Sequence, residues 1–415
     1  MSGAEGSVPD LVVLCEYFYP DLGATGQLLT ELVEDLTRGG RRIEVWTGHP
    51  SYADAKKVDP VTEYRGSVIR RVWSPQFDKN RLKGWFLNNL CFMLSMAGKT
   101  RRFARSRRLL ICTCPPLLPV IGAIAKWFGD IKVTLLLHDI FPEIAVALGY
   151  IPSGGVLSRV LSRVMLWALL RADNIIVLGR DMQRIIAAKL PEEMKGKVEI
   201  IENWADGELI RPVPKSASWL AKSEGLEQKF VVQYSGNIGR SHDLEMVIHA
   251  AKRLEKDDVV FLFIGDGAKR KSLEELAQSV SASNVRFLPY RAKSSLGDSL
   301  ACTDVSLVTL APGVEGLAVP SKLYGILASG RPVLAVVPSE SEIALTVEEG
   351  KCGIVVRPGD LSGMVEAVRY LRNDPELRER CARNARRIFE ERYERKVIVS
   401  KFERLLFAGQ GIGQG

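Results

Sequence analysis

Residues 315–332, EGLAVPSKLYGILASGRP, are the stretch that decides the fold. They lie between two short apolar runs rich in β-branched residues, 304–310 and 333–337, and such runs are typical of buried parallel strands. Within the stretch, Ser321 is a suitable helix N-cap, Gly330 suits a helix C-terminus, and the proline two residues later prevents continuation. The pattern therefore predicts a strand, a loop, a helix and a second strand.

Lys322 lies in the first turn of this predicted helix, where its charge indicates an anionic ligand. Ligands of open α/β sheets bind at the carboxyl ends of the strands, and the free N–H groups of a helix N-terminus favour an anion. A lysine there opposes the helix dipole at a cost of roughly 0.3–1 kcal/mol, which a bound phosphate would reverse. Pro320 and Ser321 adjoin Lys322 and are predicted to share its site. The alternative is a solvated lysine on an ordinary capped helix.

Length and composition restrict the class of protein. A chain of 415 residues suits two domains of about 200 residues each. Its 46% hydrophobic and 26% charged residues are typical of a soluble globular protein. The net charge of +8 favours acidic partners, which could be nucleic acid, phosphorylated metabolites or an anionic membrane surface. Seven cysteines without a Cys-x-x-Cys pair indicate a reducing cytosol, and no secretory signal or run of about 18 apolar residues is visible.

Strand-like apolar runs alternate with helix-like segments in both halves of the chain. This alternation predicts an α/β protein with two doubly wound Rossmann-like domains that face each other across a cleft. A stretch rich in proline, serine and glycine separates the halves and is predicted to be a linker. The expected boundaries are an N-terminal domain at 1–205, the linker at 206–228, a C-terminal domain at 229–395, and at 396–415 a C-terminal helix and tail that packs back on the first domain.

Glycine-bearing loops follow strands of the second half and converge on one edge of the predicted sheet. Together with Arg240 and Lys322 they could hold a diphosphate. The loop residues are Gly236, Asn237, Gly239, Gly265 and Gly267. In the first half, Gly23 and Gly26 form a weaker phosphate signal, and a plain turn into a helix explains that pair equally well.

Other nucleotide and metal motifs are missing from the sequence. It contains no Walker phosphate loop and no complete Gly-x-Gly-x-x-Gly, so the ATPase and dehydrogenase interpretations lack their signatures. It also contains no His-Glu-x-x-His and no acidic metal cluster. We therefore expect no metal and no other cofactor.

His138 ends a long apolar run at a polar loop, which is the usual position of a catalytic or ligand-binding group in an α/β sheet. Two carboxylates, Asp139 and Glu143, follow it within five residues and strengthen the hypothesis. The alternative is a structural histidine.

Residues 79–108 carry nine basic side chains and no acidic one. The basic residues are Lys79, Arg81, Lys83, Lys99, Arg101, Arg102, Arg105, Arg107 and Arg108. Between the two basic clusters, residues 84–98 are apolar and include Trp85, Phe86 and Phe92. Basic flanks around an aromatic-rich helix suit a peripheral contact with an anionic membrane. A core helix with solvated basic ends is the alternative.

Several motifs occur together in the order and spacing of a known family. In the second half they are 237–240, 264–267, 284–288, 302–306 and 315–333. This set resembles the nucleotide-binding half of retaining glycosyltransferases of family 4, which have the GT-B fold. The first half is similar too, through Tyr19-Pro20 with its glycine loop, 133–139, 172–173 and 202–204, so the resemblance covers nearly the whole chain.

Residues 320–332, together with 139–143, particularly resemble bacterial enzymes that add amino sugars during colanic acid, capsule or O-antigen assembly. The resemblance implies transfer of an N-acetylated amino sugar, with retention, from a UDP-sugar donor to a lipid-linked glycan acceptor. It also implies a metal-independent reaction on the cytoplasmic face of the membrane. The donor, the acceptor and an anionic inner-membrane surface would be the partners, and nucleic acid would not.

The same resemblance assigns roles to residues. Arg240 and Lys322 would hold the donor diphosphate, with Gly236 and Gly239 letting the backbone approach it. Glu315 would bind a sugar or ribose hydroxyl, and His138 would face the reacting sugar. The family usually has a second glutamate at a fixed distance after the first. That position is Leu323 when counted from Glu315, or Gly325 when aligned from residues 328–330, so the second carboxylate is missing.

Two other functions stay open at this point. A nucleotide-sugar 2-epimerase shares the two-domain architecture and the substrate class, and would turn over donor without any acceptor. A basic nucleic-acid- or membrane-binding protein without catalysis would explain the charge, although the basic cluster contains no recognisable recognition module.

Overall fold

The computed structural model describes residues 8–21, 23–50, 58–75, 77 and 82–408, and of residues 82, 83, 85 and 86 it describes only the backbone. The chain divides into two units. One comprises Met1–Glu202 with Val399–Gly415, and the other comprises Asn203–Ile398.

The first unit alternates strands and helices as the sequence predicts. Its elements in chain order are β1 (Leu11–Leu14), α1 (Ala24–Arg38), β2 (Ile43–Thr47), β3 (Val61–Tyr64), β4 (Ser67–Arg71), α2 (Leu82–Ala97), α3 (Thr100–Phe103), β5 (Arg108–Cys112), α4 (Pro119–Ala125), β6 (Lys132–Leu136), α5 (Glu143–Ala147), α6 (Val156–Arg171), β7 (Asn174–Val177), α7 (Arg180–Lys189) and β8 (Val198–Ile200).

The described strands of this unit form one sheet in the order β3-β4-β2-β1-β5-β6-β7-β8. All neighbours are parallel except the β3–β4 hairpin. Every residue of β1 is buried, as expected for a central strand that helices cover on both faces. The chain leaves β1 towards β2 on one side and returns to β5 on the other. The direction of winding therefore reverses between β1 and β5, which creates a crevice at their carboxyl ends.

The second unit continues the same alternation. Its elements are α8 (Trp219–Ser223), β9 (Phe230–Ser235), α9 (Glu245–Arg253), β10 (Val259–Ile264), α10 (Arg270–Ser279), β11 (Val285–Leu288), α11 (Leu296–Ala301), β12 (Val305–Thr309), α12 (Lys322–Ala328), β13 (Val333–Val336), α13 (Glu342–Gly350), β14 (Gly353–Val356), α14 (Leu361–Asn373), α15 (Pro375–Ile388) and, after a π-helical turn, α16 (Arg395–Leu406).

Its described strands form a parallel sheet in the order β11-β10-β9-β12-β13-β14. This is the strand order of a Rossmann sheet, and the winding reverses between β9 and β12. Strands β9, β10 and β12 pack their apolar side chains against α9, α10 and α14 in one buried cluster. The predicted fold class, two parallel-sheet α/β domains, is confirmed.

The stretch 315–332 folds largely as its pattern indicates. It joins β12 to β13, and α12 starts at Lys322. Gly330 has a φ of +61°, the left-handed conformation expected after a helix end. The N-cap interpretation of Ser321 is wrong: its φ and ψ of −64° and −20° are already helical, and its side chain makes no capping hydrogen bond. An N-cap residue is normally extended so that its oxygen can reach back to the helix.

Residues 206–228, predicted to be a linker, lie within the second unit in the structure. Leu220 of α8 and Leu226 after it are fully buried against Val231 and Val260 of the sheet. A few apolar side chains among the prolines, serines and glycines therefore anchor this segment, and the unit boundary precedes it.

Helix α16 passes from the second unit to the first, because the boundary falls between Ile398 and Val399. Near its end, the ring of Phe407 lies 4.3 Å from the Arg41 guanidinium and 5.4 Å from that of Arg108. These cation–π contacts join the end of the described chain to the first sheet. Within the described part of the chain, no helix has the length and apolar character needed to cross a membrane.

Candidate functional site

The crevice of the second sheet lies between β9 and β12, where the winding reverses. The loops after these two strands are joined by a hydrogen bond from the Ala311 N–H to the Ser241 carbonyl oxygen, at 2.8 Å. Open α/β sheets bind ligands at such a point. The predicted site residues on these loops, or at the start of the following helix, are Gly236, Asn237, Gly239, Arg240, Glu315, Pro320, Ser321 and Lys322.

Glycines allow the loops after β9 and β10 to pack backbone against backbone. Gly236 and Gly265 have φ angles of +129° and +140°, and a Cβ atom on Gly265 would overlap the Gly236 carbonyl oxygen. A Cβ atom on Gly267 would lie only 2.5 Å from Asn237 Oδ1, and one on Gly239 would lie 2.8 Å from Asn237 Nδ2. These glycines therefore shape the crevice and make room for the Asn237 amide.

The Lys322 ammonium is buried beside these loops without a hydrogen-bond acceptor among the described residues. Its Nζ lies 3.4 Å from the ring centroid of Tyr234, the tyrosine of β9, and next to Gly236. Desolvation lowers the pKa of Lys322 well below its usual value. A buried ammonium with only an aromatic face beside it is costly, and an anion in the crevice would remove that cost.

His242 is a residue of this crevice that sequence reasoning missed. Its Nδ1 lies 2.7 Å from the Thr309 carbonyl oxygen at the end of β12, so Nδ1 carries the hydrogen and donates it. Burial and the nearby Lys322 charge lower the pKa of His242 to about 3, so its ring is neutral. The hydrogen bond ties the two crevice loops together. The sequence could have indicated His242, because it lies in the same glycine-bearing loop after β9 as Arg240, which was predicted.

Arg240 and Glu315 lie on the two loops of the crevice. Arg240 is exposed and Glu315 is half-buried. One carboxylate oxygen of Glu315 is buried and, like the Lys322 ammonium, has no hydrogen-bond partner in the described part of the chain. Pro320 and Ser321 are half-buried directly before Lys322. The segment between β12 and α12 therefore offers a carboxylate and an ammonium to a ligand.

The first unit has its own crevice, lined by the loops after β1, β5 and β6. The Glu16 N–H donates to the Cys114 carbonyl oxygen at 2.8 Å, and the His138 N–H donates to Thr113 Oγ1 at 3.0 Å. Cys114 Sγ also lies 3.9 Å from Glu16 Oε2. These contacts hold the predicted His138 loop at the point where the winding reverses. Glu16 and Cys114 were not predicted, although both directly follow an apolar strand.

His138 and Asp139 have opposite pKa shifts with the same cause. Burial lowers the pKa of His138 to about 4, and its Nε2 is buried without a hydrogen-bond partner among the described residues. Desolvation raises the pKa of Asp139 to about 6, although the residue is exposed by its accessible surface. Glu143 instead forms an ion pair with Lys189 at 2.5 Å. At neutral pH the site therefore presents a neutral imidazole and an ionised Asp139.

Gly23 and Gly26 occupy different environments at the start of α1. Gly26 is buried, and a Cβ atom there would lie 3.3 Å from the Tyr17 Cβ, so this glycine packs helix against loop. Gly23 is the N-cap of α1, and a Cβ atom there would have nothing within 4 Å. Gly23 therefore borders open space, whereas Gly26 has a packing role. Across the described residues, no group of three or more histidine, cysteine, aspartate or glutamate residues is arranged to hold a metal ion.

Helix α2 has a buried side and an exposed apolar side. Phe92 and Met96 are buried in the first unit, whereas Leu87, Leu90 and Leu94 are exposed. Lys79 and Arg81 lie outside the described residues, as do the side chains of Lys83, Trp85 and Phe86. The basic residues after the helix that are exposed are Lys99, Arg101, Arg102, Arg105 and Arg107, whereas Arg108 is buried. The segment thus combines a core helix with an apolar and basic surface.

Comparison with known sequences gives consistent matches. The family model of glycosyl transferases group 1 matches residues 216–388. A Pseudomonas aeruginosa protein named as glycosyltransferase WbjE is 31% identical over 288 residues, which cover 69% of this chain and 71% of that protein. WcaI of Escherichia coli K12, named as a colanic acid biosynthesis glycosyl transferase, is 26% identical over 85% of this chain and 89% of its own.

Solved structures share the fold over almost the whole length. HepE of Anabaena, solved in complex with UDP, superposes with a TM-score of 0.71 at 18% identity and covers 96% of this chain and all of that one. WaaG, a glycosyltransferase involved in lipopolysaccharide biosynthesis, gives a TM-score of 0.70 at 17% identity with the same coverage. At these identities the similarity concerns the fold.

Proposed function

We propose, from the premise that this chain belongs to the glycosyl transferases group 1, that it transfers a sugar from a UDP-linked donor to a lipid-linked acceptor. The donor sugar would be an N-acetylated amino sugar, and its anomeric configuration would be retained. The reaction would need no metal ion, and the protein would act on the cytoplasmic face of a membrane. The observation that carries the proposal is the buried Lys322 ammonium, which lacks an internal acceptor at the crevice of the second unit.

The donor site is supported by shape and charge. Glycines pack the loops backbone against backbone where the winding of the sheet reverses, and Arg240 on one loop and Lys322 at the start of α12 supply two cationic groups. Two cations match one diphosphate, and an ammonium without an acceptor gains charge-assisted hydrogen bonds from phosphate oxygens. Uracil as the base is supported by the HepE structures, which hold UDP or UDP-glucose.

The sugar and the acceptor are supported by the relatives. WcaI is named for colanic acid biosynthesis, and a Streptomyces kanamyceticus relative, 32% identical over 180 residues, is an alpha-D-kanosaminyltransferase. A Bacillus anthracis relative, matched over 95% of its length at 21% identity, is named as an N-acetyl-alpha-D-glucosaminyl L-malate synthase. Amino sugars occur in the last two of these names, which favours an amino-sugar donor, and polysaccharide assembly occurs in the name of WcaI, which favours a glycan acceptor.

The chemistry follows from where charge develops. Breaking the bond between the anomeric carbon and the diphosphate leaves positive charge on the sugar and negative charge on the leaving phosphate. Lys322 and Arg240 would stabilise the leaving group as preorganised cations, which is the role that a divalent metal has elsewhere. The neutral imidazole of His138 can form a hydrogen bond with a sugar hydroxyl at Nε2, because that atom has no acceptor or donor of its own among the described residues.

The membrane association rests on α2 and the segment after it. Leu87, Leu90 and Leu94 form one exposed apolar stripe at helical spacing, and five exposed basic residues follow the helix. Each basic side chain near an anionic surface contributes about 1 kcal/mol. Docking there would bring the enzyme to an acceptor that is itself anchored in the bilayer.

The test is a panel of nucleotide diphosphates and UDP-sugars in thermal-shift measurements, with and without EDTA. A ligand at 100 times its Kd stabilises by roughly 2.7 kcal/mol, so a true ligand gives a clear shift. UDP and a UDP-amino sugar should stabilise the protein equally with and without chelator. Stabilisation only in the presence of a divalent metal would refute metal independence. An epimerised sugar released from the donor without acceptor would refute the transferase assignment.

A further inference from the structure

The first two turns of α6 expose an unusual amount of apolar surface. Val156, Leu157 and Val160 expose 72%, 57% and 47% of their area. At 3.6 residues per turn, Val156 and Val160 lie in line, with Leu157 on one side of that line. Arg159 and Arg163, both exposed, lie on the other side. The surface is therefore an apolar ridge with a basic flank.

The sequence around this ridge carries only positively charged side chains. Between residues 144 and 172 there is no aspartate or glutamate, and the basic residues are Arg159, Arg163 and Arg171. Arg171 lies 4.5 Å from the Trp167 ring, which contacts Trp127 edge to face, and Trp127 is itself largely exposed. Trp167 and Arg171 lie near the other end of α6, roughly 16–22 Å along the axis from Val156, so the side chains that flank the ridge itself are Arg159 and Arg163. Basic side chains beside exposed aliphatic ones are typical of surfaces that dock on an anionic bilayer.

Helix α6 belongs to the same layer of the first unit as α2. Right-handed connections place the helices between β4 and β7 on one face of the sheet. In that layer α3 packs against α4, and α4 packs against α6. The exposed stripe Leu87, Leu90 and Leu94 of α2 and the ridge of α6 are therefore two apolar lines on one layer.

We propose that the first two turns of α6 form a second membrane contact, separate from residues 79–108, in which Val156, Leu157 and Val160 enter the interface of an anionic bilayer. Arg159 and Arg163 bind the anionic headgroups beside them. This inference rests on the proposed action at a membrane. Because α6 starts on the carboxyl side of the sheet, shortly after the His138 loop, the contact brings the crevice of the first unit close to the headgroups.

The test is sedimentation of the full chain with vesicles of phosphatidylglycerol mixed with phosphatidylethanolamine, and with pure phosphatidylcholine vesicles as the comparison without net charge. The variants are Val156→Ser/Leu157→Ser/Val160→Ser and, separately, Arg159→Gln/Arg163→Gln. We expect the first to lower the partition constant by about tenfold or more. The second should lower it by about fivefold per arginine, and less at high salt. All changed side chains are exposed, and unchanged thermal stabilisation by UDP verifies the fold of each variant.

A matched control separates the α6 contact from the proposed function. It is the variant Arg101→Gln/Arg102→Gln/Arg105→Gln, which changes only the segment after α2. If both α6 variants bind like wild type whereas this control loses binding, the α6 contact is refuted and the membrane association stands. If the wild-type protein does not bind anionic vesicles, both the α6 contact and the proposed membrane association are refuted. An equal loss of binding to phosphatidylcholine vesicles in the arginine variant would refute the role assigned to the net negative charge of the headgroups.

Discussion

Lys322→Met is expected to weaken UDP binding while stabilising the unliganded protein. Methionine keeps the length and most of the volume of the lysine stem, so the packing beside Tyr234 and Gly236 is retained. What it removes is the ammonium, which is buried without an acceptor in the described structure. A residue kept for structure would show the opposite sign, because its loss would lower stability.

The two magnitudes follow from the contacts. A buried donor without a partner costs about 1–3 kcal/mol, and the contact of Nζ with the Tyr234 ring at 3.4 Å offsets about 0.5–2 kcal/mol of this. The methionine variant should therefore be more stable by about 1 kcal/mol. A hydrogen bond to a charged group contributes about 1.5–3 kcal/mol, so the Kd for UDP should rise by roughly 10- to 150-fold.

Titration calorimetry with UDP and urea unfolding without ligand measure the two effects. The matched control is Lys252→Met, because Lys252 is paired with Glu255 at 2.7 Å and donates to the Ser281 carbonyl oxygen, away from the crevice. That variant should bind UDP like wild type and be no more stable. A Lys322→Met protein that binds UDP within about twofold of wild type, or that is less stable, would refute the assignment of Lys322 to the diphosphate.

Three further expectations concern protons and catalysis. UDP affinity should fall as pH rises through the lowered pKa of Lys322, because a diphosphate beside the ammonium raises that pKa again; proton uptake on binding, counted by calorimetry in buffers of different ionisation enthalpy, should increase over the same pH range. His138→Ala should lower turnover about 100-fold and leave UDP affinity unchanged in steady-state kinetics and calorimetry, whereas a loss of stability alone would mark a structural histidine. Asp139→Asn should raise the melting temperature above pH 6 more than below pH 4: the folded-state pKa of about 6 is above the ordinary value, so stability is lost as pH rises and the carboxyl ionises. An equal change at both pH values would contradict the desolvation of Asp139.

The sequence could predict the parallel strands because both faces of each sheet are covered. Strands such as β1 and β12 are then apolar throughout, and turn residues mark their ends. The sequence could also single out Lys322 as a candidate ligand-binding residue, because a lysine in the first turn of a helix that follows a strand opposes the helix dipole. Its lack of an acceptor could not, because that depends on the Tyr234 ring and the Gly236 loop, which are far from it in sequence.

The segment 206–228 shows why composition misleads about boundaries. Prolines and serines indicate a linker, yet two buried leucines are enough to bind the segment to β9 and β10. Helix α2 shows a related limit. Its apolar residues all look alike in sequence, but Phe92 is buried and Leu94 is exposed, and only the packed sheet decides which side is which.

Gly325 is one of the two positions where the family's second glutamate is absent. Its surroundings suit an apolar side chain or no side chain at all. A Cβ atom there would lie 3.7 Å from the Ile210 side chain and 3.8 Å from that of Leu300. A carboxylate that began in this position would first have to pass two apolar groups. The hydroxyls of the proposed donor would then need an acceptor elsewhere in the crevice. Glu315 has a buried carboxylate oxygen without a partner among the described residues, which costs about 1–3 kcal/mol until a ligand donates to it. We therefore expect Glu315 to accept a hydrogen bond from a sugar or ribose hydroxyl.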